Sequence, residues 1–589
     1  MAKLNVAAVS VLMEHDTPIE MRDGTVLRAE VYRAAEGGPF PVLLIRNPYG
    51  EQMIRTAPVI PAVEAGFAVV VQSCRGTGRS DGDFVPFENE AVDGVDTIAW
   101  CARQPWSNGS VGMYGPSYLG MVQLAAATQA PEALKGLLPI VTPADYHWGL
   151  AYQQGAFQLG QTLGWHTLKS AQTLAYRAFA GEDVSGDLPA LLGHMADTAA
   201  SYLHLPVREA PAVSRILPTW QEWLDHEERD AFWTAMTYKD HRHRITTPAL
   251  HVGGWFDLFL GGTLDNFVTL SRDAATGHAR RNQRLLIGPW THADQTGAAG
   301  ELHFGVLASA QAIQLEQLQL DFLSRFVRPG GEEPGGWRVK LFVMGDNVWR
   351  EESEWPLART RWTRWYLHSG GSLSPSLPAQ GATPSGYTYD PSDPAPTVGG
   401  ATLINGGSGG GVTWMPGPRD QRKVEARADV VSFTSDALTE DLEATGPVSV
   451  TLHAATSAAD TDFTAKLVDV WPDGRCLGVV DGIVRARYRD HSGHATPIIP
   501  GQPYEYVIDL IATSQVFKVG HRLRVDISSS NFPCFDRNPG NGAPAATATE
   551  QDFVVADQTI FHDAGRPSHI TLPIIPRPAP GTAVAGRGA

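Results

Sequence analysis

A serine that attacks an acyl group needs a sharp strand-to-helix turn that lifts its hydroxyl clear of the chain, with small residues flanking the turn. Two segments match Gly-x-Ser-x-Gly literally: Gly78-Arg-Ser80-Asp-Gly82 and Gly406-Gly-Ser408-Gly-Gly410. The first lies in a polar, Gly-rich stretch with no helix after it, and the second in low-complexity sequence, so both are decoys. Gly115-Pro-Ser117-Tyr-Leu-Gly120 has the required setting, between the short strand-like run Ser110-Val-Gly-Met-Tyr114 and the helical run Met121-Val-Gln-Leu-Ala-Ala-Ala127. Leu119 stands where the second glycine is usual, and Gly120 is expected to supply the small residue instead.

Such a serine needs a histidine base and an acid to orient it, in the chain order serine, acid, histidine, each just past the carboxyl end of a strand. Asp257 follows the apolar run Pro248-Ala-Leu-His-Val-Gly253, and His292 follows Arg284-Leu-Leu-Ile-Gly288. His251 falls inside a strand and reads as core. His241 and His243, in Asp240-His-Arg-His-Arg244, read as a solvated connection. There is no His-Glu-x-x-His, nucleotide-binding loop or paired cysteine cluster, so neither metal nor cofactor is expected.

The elements that must carry these residues follow from periodicity. Pro41-Val-Leu-Leu-Ile45 and Ala68-Val-Val-Val-Gln72 are unbroken apolar runs, as in strands covered on both faces. Residues 50–66 predict a crossover helix stopped at Gly66, and 88–103 a second helix. Strand alternating with helix means a parallel sheet. Helical patterns then dominate over 150–180, 188–204 and 219–237, the last opening on a capping box, Thr219-Trp-Gln-Glu222. Strands return at 248–253, 284–288 and 339–344, with a helix over 307–327. Residues 1–145 and 241–350 thus form one domain in two segments, split by a helical insertion at 146–240.

Beyond a Gly/Ser/Pro-rich stretch at 369–411 the period falls to two. Val448, Val450 and Leu452 alternate with polar residues, as do Tyr504, Tyr506, Ile508 and Leu510, then Leu523, Val525 and Ile527, then Ile570, Leu572 and Ile574. Half-buried antiparallel strands in a sandwich or jelly roll are expected, giving a linker and β domain over 351–575 and a tail at 576–589.

Composition narrows the partners. A net charge of −17 over 589 residues argues against nucleic acid. No apolar run is long enough to span a bilayer, and the first residues lack the apolar block of a signal peptide. Four cysteines (74, 101, 476, 534) make no disulfide framework, so a soluble cytoplasmic protein is expected. Homodimer formation is left open.

Several segments together resemble the X-Pro dipeptidyl-peptidase-like (CocE/NonD) family of α/β-hydrolase serine esterases. They include Met21-Arg-Asp-Gly24, Arg46-Asn-Pro-Tyr-Gly50, Arg75-Gly-Thr-Gly-Arg-Ser80, Gly115-Pro-Ser-Tyr-Leu-Gly120, Gly254-Trp-Phe-Asp257, Gly288-Pro-Trp-Thr-His292 and Phe342-Val-Met-Gly345. In the last third, Asp462-Phe-Thr-Ala-Lys-Leu-Val-Asp-Val470 and Ser528-Ser-Ser-Asn-Phe-Pro533 add to the likeness. The resemblance implies an α/β fold: an α/β-hydrolase domain with an inserted helical cap, plus a C-terminal all-β jelly roll. It implies Ser117 as nucleophile, His292 as base, Asp257 as orienting acid, and an oxyanion hole from the Tyr118 backbone N–H and the Tyr49 hydroxyl. It also implies an acyl pocket of Trp165, Leu168, Phe259, Leu403 and Ile404. Ile404 departs from the pattern, being aliphatic where an aromatic ring is expected, and His166 is a further change.

The expected activity is hydrolysis of carboxylic esters, including those of aromatic or bulky acids, through an acyl-enzyme and without a cofactor. Amide or peptide hydrolysis by the same triad is the alternative, and a peptidase acting on free N-termini should offer a carboxylate to the substrate ammonium. A third reading is an inert hydrolase domain whose jelly roll binds carbohydrate.

Overall fold

The computed structural model describes residues 9–50, 58–328, 330, 336–403 and 414–577. The first part is built on a ten-stranded sheet. Its strands up to the helical region are β1 (Val11–Glu20), β2 (Val26–Ala34), β3 (Phe40–Asn47), β4 (Ala68–Ser73), β5 (Ser107–Pro116) and β6 (Leu134–Ile140), with helices α1 (Val59–Glu64), α2 (Glu90–Ala102) and α3 (Tyr118–Ala127) between them. A small hairpin, β7 (Tyr152–Gln153) and β8 (Ala156–Phe157), opens the helical region of α4 (Leu159–Phe179), α5 (Leu188–Ala196), α6 (Thr198–Tyr202), α7 (Thr219–Asp225) and α8 (Ala231–Met236). The sheet resumes with β9 (Ala249–Phe256), α9 (Leu260–Asp273), α10 (Gly277–Arg281) and β10 (Gln283–Thr291). After the short pair β11 (Ala298–Ala299) and β12 (Leu302–His303) come α11 (Leu315–Val327), β13 (Val339–Val343) and β14 (Val348–Glu352).

The order across the sheet is β1-β2-β4-β3-β5-β6-β9-β10-β13-β14, parallel from β4 to β13 with antiparallel edges. β3 and β4 are buried at every position, as unbroken apolar runs require of central strands. β6 and β9 are direct neighbours, with Leu137 opposite Ala249, although 108 residues including α4–α8 separate them in the chain.

The helices are shorter than periodicity alone suggests, and each break has a local cause. Residues 150–158 turn back as β7–β8, with Gln154 and Gly155 at positive φ, so the first long helix starts only at Leu159. Asp197 splits the next run by accepting from the Ala200 N–H and capping α6, and Asp230 likewise caps α8 through the Phe232 N–H. α11 begins at Leu315 because Gln314 adopts a left-handed conformation. Gly66, at φ +84°, follows the end of α1 where only glycine is unstrained; residues 51–57 of the expected crossover lie outside the described residues. The capping box at Thr219 is absent. Pro218 has helical φ and ψ and is itself the cap residue, which puts Thr219 inside the helix, its hydroxyl facing His166 Nε2 at 3.4 Å.

The second part is β-rich. Its strands are β15 (Arg361–His368), β16 (Ser372–Ser374), β17 (Ser385–Tyr389), β18 (Val431–Thr434), β19 (Leu442–Thr456), β20 (Asp462–Val470), β21 (Cys476–Arg485), β22 (Tyr504–Phe517), β23 (Arg522–Ser528), β24 (Ala556–Asp563), β25 (Arg566–Pro567) and β26 (His569–Ile574), all in one connected, mostly antiparallel sheet system. Period-two alternation puts Val448, Val450, Leu452, Tyr506, Ile508, Leu510, Leu523, Val525, Ile527, Ile570 and Leu572 in the core.

A buried ionic knot ties this part to the helical region. Arg485 on β21, 1% exposed at its side chain, pairs with Asp462 at 2.9 Å and Asp536 at 2.7 Å, and Glu227 from the α7–α8 connection lies 3.8 Å away. Arg487 pairs with the same Glu227 and with Asp460 at 3.2 Å. Removing the central cation strands several buried carboxylates, so Arg485→Met is expected to cost about 3–5 kcal/mol. Urea unfolding followed by tryptophan fluorescence checks this, and a loss below about 1 kcal/mol would make the knot incidental.

Candidate active site

Ser117 is the turn between β5 and α3. Its φ of +58° and ψ of −122° form a strained backbone that a non-glycine residue adopts only when its surroundings force it. The forces are visible. The Ser117 N–H donates to the Ile140 carbonyl on β6 at 2.8 Å, and the Ser117 carbonyl accepts from the N–H groups of Gly120 and Met121 at 2.8 and 3.1 Å. A Cβ on Gly115 would lie 2.3 Å from Leu119 Cβ, and one on Gly120 would lie 1.9 Å from Thr142 Oγ1. The tight packing therefore falls on residue 120, and Leu119 is tolerated.

Asp257 and His292 extend from the carboxyl ends of the neighbouring strands β9 and β10. The His292 imidazole donates from Nδ1 to Asp257 Oδ1 at 2.7 Å, with the acid 1% exposed. A proton held on Nδ1 leaves Nε2 with its lone pair, the tautomer a general base needs. Phe259 places its ring edge-on to the imidazole, with centroids 5.3 Å apart.

Tyr118 and Tyr49 line the same cavity as Ser117. Tyr118 is the first residue of α3, so its backbone N–H has no acceptor within the helix. Its phenol is locked, donating to Glu90 at 2.8 Å and accepting from the Phe87 N–H at 3.1 Å, while Glu90 pairs with the fully buried Arg46 at 2.8 Å. Tyr49 lies in the loop after β3, its N–H donating to Asn47 Oδ1. Its hydroxyl accepts from the Trp165 indole N–H at 3.2 Å. An indole can only donate, so the phenolic proton remains free for another acceptor. Burial pushes that phenol up to about 12, against a smaller opposing effect from the indole, so it is protonated at neutral pH.

A cavity of about 450 Å³, including its open mouth, brings together Ser117, His292, Tyr49, Tyr118, Trp165, Phe259 and Leu403. Phe87, Met121, Leu150, Gln161, Thr162 and Trp223 complete the lining, and none of these described residues carries a carboxylate. The walls are stacked aromatics: Tyr118 on Trp165 at 6.3 Å and Trp165 on Trp223 at 6.1 Å. Phe87, Trp223, Met121 and Leu150 escaped the sequence reading, because an apolar residue in a loop or helix looks the same whether it faces core or substrate.

Leu168 does not line the cavity. On α4, Thr162, His166 and Lys169 are buried and Trp165 half-buried, whereas Leu168 is 46% exposed. His166 is a core residue, donating to the Thr162 carbonyl, its pKa pushed down to about 4 by burial. Ile404 and Ser408 lie outside the described residues. Ser80 sits away from the cavity, its hydroxyl donating to the Ser73 carbonyl and accepting from the Arg28 N–H. His251 is buried on β9 against Gln283. His241 is half-buried and His243 exposed in a short helical connection. Among the described residues no group of three His, Cys, Asp or Glu side chains is placed to hold a metal ion, and no helix is long and apolar enough to cross a membrane.

The sequence of residues 23–294 matches the family model of X-Pro dipeptidyl-peptidase (S15 family), and residues 336–571 match that of the X-Pro dipeptidyl-peptidase C-terminal non-catalytic domain. The chain belongs to the X-Pro dipeptidyl-peptidase (S15) family. Within it, the chain is 37% identical to cocaine esterase of Rhodococcus sp. (strain MB1 Bresler) over 95% of its own length and 98% of the relative's. A putative serine esterase of Mycobacterium bovis is 25% identical over 81% of this chain and 80% of that protein. Among solved structures, an α-amino acid ester hydrolase (26% identity) and an aminopeptidase from a Thaumarchaeota archaeon (25%) each superpose with a TM-score of 0.82, over 96% of this chain and 97% of theirs. The S15 assignment fits the observed α/β-hydrolase-like domain followed by a β-rich domain.

Proposed function

We propose that the protein hydrolyses carboxylic esters of aromatic or bulky acids through an acyl-enzyme on Ser117. The protein is a serine ester hydrolase; what is proposed is its machinery and its acyl preference. Ser117 attacks the ester carbonyl, His292 Nε2 takes its proton and returns it to the departing alcohol, and Asp257 holds the imidazole. Water, activated by the same histidine, then releases the acid. The Tyr118 N–H and the Tyr49 hydroxyl hold the oxyanion. No step calls for a cofactor. In this reading residues 146–240 act as a cap, 1–145 and 241–350 form the hydrolase domain, and 351–575 carry a jelly roll.

The observation that carries the reading is that a strained Ser117 and the Nδ1-donating His292 line one aromatic-walled cavity. The lack of a carboxylate on that cavity's described lining favours neutral acyl groups over a free N-terminal ammonium, and hence esterase over aminopeptidase. A panel of p-nitrophenyl esters from acetate to benzoate, with matched anilides, tests both points. Esters are expected to turn over far faster than anilides, and benzoate to rival acetate in kcat/KM. Efficient release of free amino acids from peptides would reverse the preference.

Leu150 gives a test of the cavity's shape. Leu150→Trp is expected to fill it and lower the benzoate-to-acetate ratio of kcat/KM by about tenfold or more, since pocket misfits cost about 1–3 kcal/mol. An unchanged ratio would place the acyl group elsewhere.

A further inference from the structure

Lys169, on α4, is 1% exposed and among the described residues forms no ion pair with a carboxylate. A buried ammonium without a counter-ion is costly and needs a reason. Its Nζ donates to the Pro48 carbonyl at 2.5 Å and to Gln172 Oε1 at 2.9 Å. The same Gln172 donates to the Tyr49 carbonyl at 3.3 Å. The charge also lies 4.1 Å from the Phe84 ring centroid and 5.7 Å from that of Tyr49. Both hydrogen bonds that Lys169 Nζ makes among the described residues thus bear, directly or through Gln172, on the loop that carries Tyr49.

We infer that Lys169 is a positioning residue of the oxyanion hole: its ammonium pins the Pro48–Tyr49 loop and places a positive charge behind the Tyr49 phenol. The inference rests on the reading of Tyr49 as an oxyanion donor. A cation behind the phenol favours its hydrogen bond to an oxygen that gains negative charge, and this matters more in the transition state than in the ground state.

Burial lowers the Lys169 pKa to about 8, against weaker opposing effects from Cys74 and Glu90. The neighbouring titratable groups are Tyr49, held up at about 12, Cys74, held well above the ordinary thiol value by burial, and Glu90, which Arg46 and the Tyr118 phenol already engage. Among these neighbours only Lys169 is expected to change charge between pH 7 and 9.5. The lowered value also means that the folded chain binds this proton less well than the unfolded chain. The charge therefore destabilises the fold below pH 8, and the penalty fades as pH rises toward the ordinary lysine value.

The test is the acylation rate, read from the stopped-flow burst of p-nitrophenyl benzoate between pH 6 and 9.5. Wild-type acylation is expected to decline on the alkaline side with a midpoint near 8. Lys169→Met is expected to be slower by about tenfold to a hundredfold at pH 7, less than the loss of a direct donor, flat from pH 7 to 9.5, and unchanged or raised in Tm. Lys169→Arg, charged throughout, should restore part of the rate without the decline. In the Tyr49→Phe background, Lys169→Met should add little, because the two act through one group. A wild-type rate flat to pH 9.5, a decline that survives in Lys169→Met, or full additivity with Tyr49→Phe would each overturn the inference. If Tyr49→Phe acylates normally, the oxyanion reading itself fails; if only Tyr49→Phe is slow, the tyrosine stands and Lys169 is structural.

Discussion

Ser117→Ala is expected to abolish acyl-enzyme formation and cut ester turnover by several orders of magnitude, with the fold intact. The residue that replaces it has to tolerate φ +58°, and alanine, with a smaller side chain, does so no worse than serine. What remains is the polarising power of the oxyanion hole, about 10³ to 10⁴ over water. The contrast with the decoys sharpens the test. Ser80 spends its hydroxyl on the Ser73 carbonyl and the Arg28 N–H, so Ser80→Ala is expected to lower stability modestly and keep kcat. Ser408→Ala is expected to remain active as well. Steady-state turnover with fluorophosphonate labelling of each variant decides the matter: an active, labelled Ser117→Ala would move the nucleophile elsewhere.

The second large effect is expected from Tyr49→Phe. The phenyl ring keeps its packing beside Tyr118, with centroids 6.5 Å apart, and only the hydroxyl is lost. Losing one oxyanion donor costs about 10² to 10³ in kcat, or about 3 to 4 kcal/mol. The loss should appear in kcat with KM little changed, because the hydrogen bond strengthens as charge develops on the oxygen. The hydroxyl also accepts from the Trp165 indole, so the variant leaves that N–H without its acceptor. Trp165→Phe separates the two consequences: if the indole merely orients the phenol, its removal costs far less than removal of the phenol. Near-normal acylation in Tyr49→Phe would make the ring a wall of the pocket and assign the second donor to another group.

Much of this molecule is written in short-range pattern. Runs such as Pro41–Ile45 and Ala68–Gln72 are apolar without interruption, which already places them at the middle of a covered sheet; β3 and β4 lie there. Period two from Val448 onward likewise specifies half-buried strands. The setting of Ser117 between a strand and a helix sets it apart from two better literal motifs, because the turn is a local property. The order of serine, acid and histidine selects Asp257 and His292 by their place after strands, and the fold brings those two within 2.7 Å.

Local pattern fails where partners are distant in the chain. Thr219-Trp-Gln-Glu222 has the letters of a capping box, yet the backbone of Pro218 and the need of His166 for a donor decide what Thr219 does. Leu168 and Lys169 are adjacent, and hydropathy would bury the leucine. The helix is instead rotated so that the lysine meets Pro48 across 121 residues of chain, and the leucine meets solvent. Trp165 reaches Tyr49 across 116 residues. Periodicity and turn geometry act over a few residues, so an α/β-hydrolase-like part, a β-rich part, the ester-hydrolase class and Ser117 as the candidate nucleophile could all be read from the chain alone. Which side chains wall the cavity, and which buried charge lies beside Tyr49, could not be read there, because both depend on how α4 is rotated against the loop after β3, and packing sets that rotation.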